Sequence, residues 1–131
     1  MNIRELLRVM AERGASDLHL RAPAPPMLRV DGELVPADGQ PRLAPQDVEE
    51  AFNQCTTEAQ RQRFHDDLEL DFAYSVPGLA RFRVNVMLQR GSMSIAFRRI
   101  PFTIPTIQEF GLPQVCRTLI LKPRGLVLVT G

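Results

Sequence analysis

The chain has 131 residues, 44% of them hydrophobic and 24% charged, with a net charge of +1 and a pI near 7.9. These values describe one ordinary domain with a core of its own and exclude disorder. They also lack the basic field typical of proteins that live on nucleic acid. Cys55 and Cys116 stand far apart with no metal-ligand spacing and read as reduced thiols. No apolar run approaches the ~20 residues of a membrane span, and the charged start of the chain is not a signal peptide. A cytoplasmic protein is expected.

In chain order, Asn2 with Glu5 resembles a capping box, and Ile3, Leu6, Leu7 and Met10 recur at helical spacing. Gly14 is placed to end that helix, predicted over about 3–13. Residues 16–21, SDLHLR, alternate as a strand, and the prolines that follow force an extended loop. Met27–Val30, Asp31-Gly32 and Glu33–Val35 read as a tight hairpin, because Asp-Gly supplies the positive φ angles of a type I′ turn. A helix from Pro45 to about Cys55 and a second, capped by Thr57 and Gln60, reaching about His65, come next. Leu68, Leu70, Phe72 and Tyr74 mark another strand. A loop spanning Ser75–Leu79 would then pair Phe72 with Phe82, Leu70 with Val84 and Asp71 with Arg83.

The stretch 79–101 carries the clearest pattern. Phe82, Val84, Val86 and Leu88 alternate with Arg81, Arg83, Asn85, Met87 and Gln89; after Arg90-Gly91 the alternation resumes with Met93, Ile95 and Phe97. A two-residue turn pairs Leu88 with Met93, Val86 with Ile95 and Val84 with Phe97. That register also sets Arg83 opposite Arg98, with Arg81 two residues along. Directly opposed like charges are destabilising, so these arginines suggest a face built to meet an anion. The structural alternative is that Arg83 pairs with Asp71 across the sheet and Arg81 is a solvated surface residue. Arg99 belongs on the opposite face. His19 reads as a partly covered strand histidine with no second metal ligand at a useful spacing.

After Ile100 the texture changes. Pro101, Pro105, Gly111 and Pro113 punctuate a linker, with a short helical turn near Thr106–Phe110. A helix over about Pro113–Leu121 follows, then Leu126–Val129, an apolar run of the kind found in a strand buried on both faces. The fold class expected is α+β: an antiparallel sheet of about six strands over 1–100 with helices on one face, a linker over 101–112, and the start of a second domain over 113–131. The chain reads as cut at the threshold of that second domain.

The ordered series SDLHL (16–20), PPMLRVDGEL (25–34), DFAYSVPGLARFRVN (71–85), AFRRIP (96–101), IPT (104–106) and RGLVLVTG (124–131) resembles the N-terminal portion of the secretion ATPase superfamily. Within it, the series is most similar to the twitching-motility ATPases that drive type IV pilus retraction. The resemblance implies a PAS-like N-terminal domain followed by a RecA-like ATPase core. It implies a cytoplasmic homo-hexamer at the inner-membrane face, acting on a pilus platform protein, with ATP and Mg bound in the full-length protein. Arg81, Arg83 and Arg98 fit the arginines that such proteins aim at the nucleotide phosphates, and Gly131 fits the first glycine of the phosphate-binding loop G-x-x-x-x-G-K-[ST]. This chain by itself is expected to bind no cofactor and to be inactive.

The short N-terminus favours the retraction type over type II secretion or pilus-assembly relatives, which carry an extra leading domain. Two other classes compete. One is a free-standing PAS-like sensor of a small ligand; the other is a single-stranded nucleic-acid binder, disfavoured because Phe72, Phe82 and Phe97 share the face that helices should cover.

Overall fold

A computed structural model describes residues 2–89, 91–103, 105–128 and 130. Its elements run α1 (Ile3–Glu12), β1 (Asp17–Arg21), β2 (Met27–Val30), β3 (Glu33–Pro36), α2 (Pro45–Cys55), α3 (Glu58–Asp67), β4 (Glu69–Val76), β5 (Ala80–Gln89), β6 (Ser92–Ile100) and α4 (Val115–Ile120). The six strands form one antiparallel sheet in the order β3-β2-β1-β6-β5-β4. The expected α+β class and strand number are both present.

Local chemistry explains the element boundaries. Asn2 Oδ1 accepts from the backbone N–H groups of Arg4 and Glu5, satisfying donors that an α-helix start leaves open. Gly14 follows α1 at φ 65, the left-handed conformation that a helix stop uses. Thr57 and Gln60 cap α3 reciprocally, as their spacing predicts. The Asp31-Gly32 turn has both residues at positive φ and joins Val30 to its partner Glu33.

The β5–β6 hairpin has the predicted register: Leu88 faces Met93, Val86 faces Ile95, Val84 faces Phe97 and Arg83 faces Arg98. Arg90, half of its predicted turn, lies outside the described residues. The β4–β5 register differs from expectation. Phe72 pairs with Val84, Leu70 with Val86, and Asp71 with Asn85, while Ala73 stands opposite Arg83. The loop is tighter than predicted. Pro77 is followed by Gly78 at φ 75, and the Leu79 N–H donates to the Val76 carbonyl, which closes a turn and pairs Val76 with Ala80. The two-residue shift preserves which face each side chain occupies.

One face of the sheet carries the core. Leu18, Leu20 and Leu28, Phe82, Val84 and Val86, and Ile95 and Phe97 are buried there with Leu7 and Met10 of α1 and Val48 and Ala51 of α2. Phe64 of α3 stacks obliquely on Phe52 of α2, ring centres 5.0 Å apart. Full burial of side chains of this size contributes roughly 1.5–3 kcal/mol each. The opposite face is left polar.

Beyond Ile100 the described residues are largely exposed. Residues Thr106–Gly111 form a single turn, in which Thr106 and Glu109 bond reciprocally and Gly111 ends the turn at φ 65. The predicted helix at 113–121 is shorter, Val115–Ile120. Of the predicted buried strand at Leu126–Val129, the described residues Leu126, Val127 and Leu128 are exposed and have no ladder partners. A strand buried on both faces needs a sheet to join and layers packed over both faces, and the described residues offer neither to this segment. Val129 and Gly131 lie outside the described residues.

Candidate functional site on the polar face of the sheet

Strand alternation and register bring five charged groups into one belt across the uncovered face. Arg29 of β2 stands opposite Asp17 of β1, Asp17 opposite Arg98 of β6, and Arg98 opposite Arg83 of β5. Asp71 of β4 lies diagonally from Arg83. In the next row, His19, Ala96, Asn85 and Asp71 face one another in turn. The two rows enclose a shallow concavity of about 270 Å³.

Asp17 organises this belt. The residue is 5% exposed, the one buried charged residue among those described. Oδ1 accepts from Arg98 Nε at 2.8 Å, Oδ2 accepts from the Ser16 hydroxyl at 2.8 Å, and Arg29 Nε lies 3.6 Å from Oδ2. Burial alone would raise the Asp17 carboxyl pKa. The Arg98 and Ser16 hydrogen bonds, with the Arg98 and His19 charges, outweigh that and hold it below its usual value. His19 is half-buried beside it. Burial lowers the imidazole pKa; Asp17 opposes the shift, and Arg29 and Arg98 reinforce it. Its Nε2 is buried without a hydrogen-bond partner among the described residues.

The three predicted arginines share this surface but differ in their commitments. Arg98 and Arg83 are each held at Nε, Arg98 by Asp17 and Arg83 by Asp71 at 3.4 Å. Arg81 is exposed and has no ion pair with a described residue. The cross-sheet pairing of Arg83 with Asp71 is therefore present, reached diagonally rather than face to face. The Arg83–Arg98 juxtaposition is compensated from both sides by acids. Arg99 points away, reaching the Ala11 carbonyl at 3.4 Å. The fourth predicted site residue, Gly131, lies outside the described residues.

Sequence reasoning missed Arg29 and the central part played by Asp17. Both follow from β1 lying between β2 and β6, a long-range pairing that no local periodicity announces. The belt carries more positive than negative groups. It can receive an anion through guanidinium N–H groups. Among the described residues no cluster of His, Cys, Asp and Glu could hold a metal ion. No helix among them is long and apolar enough to cross a membrane. Burial pushes the Cys55 thiol up to about 12, far from the reactive range.

No protein-family model matches the chain. Individual relatives do. All 131 residues align at 45% identity with the type IV pilus retraction ATPase PilT of Pseudomonas aeruginosa, covering 38% of that protein. The chain matches the N-terminal portion of the twitching-motility ATPases. It is 39% identical over 131 residues to the type IV pilus ATPase PilU of the same organism, covering 34% of it. A twitching motility protein of Neisseria gonorrhoeae is 33% identical over 106 residues.

Among solved structures, the pilus retraction motor PilT with bound ADP superposes with a TM-score of 0.79 at 38% identity, over 93% of this chain and 36% of that one. The Legionella pneumophila ATPase DotB shares the fold, with a TM-score of 0.72 at 22% identity over 95% of this chain and 37% of that one. The chain thus spans little more than a third of the twitching-motility ATPases it matches. Its likeness to them marks a domain of the pilus ATPase type.

Proposed function

We propose that this chain is the N-terminal domain of a hexameric cytoplasmic motor ATPase that powers type IV pilus retraction and twitching motility. The observation that carries this is the 45% identity with the PilT retraction ATPase over every residue of the chain. In this reading residues 1–100 form a PAS-like domain, 101–112 the linker, and 113–131 the start of a RecA-like core, with Gly131 opening its phosphate-binding loop. The exposed apolar side chains of Phe102, Phe110, Val115, Ile120, Leu121, Leu126 and Leu128 support it. A run of this kind in water is costly unless other protein surface covers it.

ATP with Mg is the full protein's nucleotide. In this reading the groups that hold the metal belong to the RecA-like part. This chain's contribution is the arginine belt. Arg81, Arg83 and Arg98 present positive charge to the phosphates, where a guanidinium stabilises charge as it redistributes during phosphoryl transfer. Ring contacts between subunits, action on an inner-membrane pilus platform protein and location at the inner face of that membrane complete the reading. An assembly or type II secretion ATPase is the nearest alternative.

Two experiments test this. The full-length protein should restore twitching to cells lacking their retraction ATPase while leaving surface pili intact; restored piliation in cells lacking the assembly ATPase would favour the alternative. The purified 131-residue chain should show no magnesium-dependent ATP turnover, and measurable turnover would refute the division of labour.

A further inference from the structure

The way Arg98 is held differs from the way its neighbours are held. An arginine has one Nε–H and four terminal N–H donors. Arg98 gives its Nε–H to Asp17 at 2.8 Å, and its terminal nitrogens have no partner among the described residues. The side chain is 70% exposed while the Asp17 carboxylate is 7% exposed, so one end of the guanidinium is anchored and the other is open to solvent. Arg29, by contrast, is occupied at both ends: its Nε faces Asp17 at 3.6 Å and Nη1 donates to the Gly32 carbonyl at 2.8 Å.

We infer that Asp17 is a positioning residue for Arg98, gripping it side-on at Nε so that the terminal N–H fork stays free and fixed in direction for an anion. The inference rests on the proposal that Arg98 meets a nucleotide phosphate, and deepens it. Three features of Asp17 suit the task. Its carboxylate is itself immobilised by the Ser16 hydroxyl and by Arg29. It remains ionised at any physiological pH, because its partners hold its pKa below the ordinary carboxylate value. It also sits on β1, which is paired on both edges, so the anchor is set in the middle of the sheet rather than at its margin.

The physical gain is entropic and geometric. A free arginine side chain loses much of its rotamer freedom when it grips an anion. A guanidinium already clamped at Nε has lost most of it beforehand. Misplacement of a contacting group by about 1 Å can cost on the order of a hundredfold in rate, so the clamp should appear in kcat more than in KM.

The test is a double-mutant cycle on the full-length ATPase, with steady-state kcat and KM for ATP measured alongside ring assembly. Arg98→Ala should lower kcat by roughly a hundredfold. Asp17→Asn, nearly isosteric but uncharged, should lower kcat by roughly tenfold with little change in KM. In the Arg98→Ala background Asp17→Asn should have no further effect, because its influence passes through the missing arginine. A merely structural Asp17 would instead lower activity by the same factor in both backgrounds, which overturns the inference and leaves the arginine reading standing. A wild-type kcat in Arg98→Ala would overturn both.

A measurement without any variant guards against misfolding of Asp17→Asn. In the 131-residue chain, solvent exchange of the Arg98 Nε–H followed by NMR should be slow beside that of Arg81. Equal exchange rates for the two would contradict the clamp.

Discussion

Arg83 of β5 and Arg98 of β6 are direct cross-strand partners, and each is held by a carboxylate on the strand at its other side. Asp71 takes the Arg83 Nε at 3.4 Å, and Asp17 takes the Arg98 Nε at 2.8 Å. Opposed cations on adjacent strands normally cost stability. Here the cost is met within the sheet, so the pair does not require an anion in order to fold, yet it retains terminal donors with which to receive one. The two acids are unequal. Asp71 and Arg83 are both well exposed, where an ion pair contributes about 0–1 kcal/mol, whereas Asp17 is buried and draws on three partners.

Asp17→Asn should therefore destabilise the domain far more than Asp71→Asn. An expected loss is about 1–2 kcal/mol for Asp17→Asn, discounted because its partner Arg98 is largely in solvent, against less than about 0.5 kcal/mol for Asp71→Asn. Urea unfolding midpoints compare them directly, and equal shifts would contradict the assigned asymmetry.

Acidification should weaken the fold in two stages of the same sign. His19 has a folded pKa below its ordinary 6.5. The unfolded chain therefore takes up the proton first, and the stability present above 6.5 is lost as pH falls through that value toward the folded one. Asp17 likewise has a folded pKa below its ordinary 3.8, so its contribution holds above 3.8 and is lost as pH falls through the folded value. Thermal unfolding of wild type and His19→Gln between pH 7.5 and 5 should show the variant with the flatter profile.

The β4–β5 register rests on one backbone conformation. Gly78 lies at φ +75, and a Cβ built there meets nothing within 4 Å, so strain rather than collision sets the cost of a side chain. Gly78→Ala should destabilise by about 1–2 kcal/mol, and Gly78→Asn by less, since asparagine tolerates the left-handed region. Equal effects in denaturant titrations would mean that the turn is not held as described.

The two thiols should react at different rates. Cys55 is buried, with its pKa pushed up to about 12, and Cys116 is partly exposed. A thiol reagent at pH 8 should modify Cys116 promptly and Cys55 only as the domain unfolds.

Much of this architecture was legible where the chemistry is local. Asn2, Gly14, Asp31-Gly32 and the Thr57/Gln60 pair mark their helix ends and turn through groups only a few residues apart. The β5–β6 hairpin could be registered because apolar residues fall opposite apolar residues in one alignment. The β4–β5 register was misjudged by two because alternation has period two and is blind to such a shift; only the geometry around Pro77-Gly78 decides it.

The site was half legible. Arg83 and Arg98 came from the hairpin, and the pairing of Arg83 with Asp71 was foreseen as an alternative. The clamp of Asp17, itself braced by Ser16 and Arg29, on Arg98 depends on β1 pairing with β6, residues some eighty positions apart. The run at Leu126–Leu128 shows the complementary limit: its composition reads as a buried strand, but burial requires neighbours that the described residues do not supply.

The central claim is that this polar sheet face forms part of a nucleotide site. Its most direct test is ATP turnover by the full-length protein carrying Arg83→Ala or Arg98→Ala, with assembly followed by light scattering. The account predicts rings of wild-type mass whose kcat falls on the order of a hundredfold or more. Wild-type turnover in both variants would contradict it.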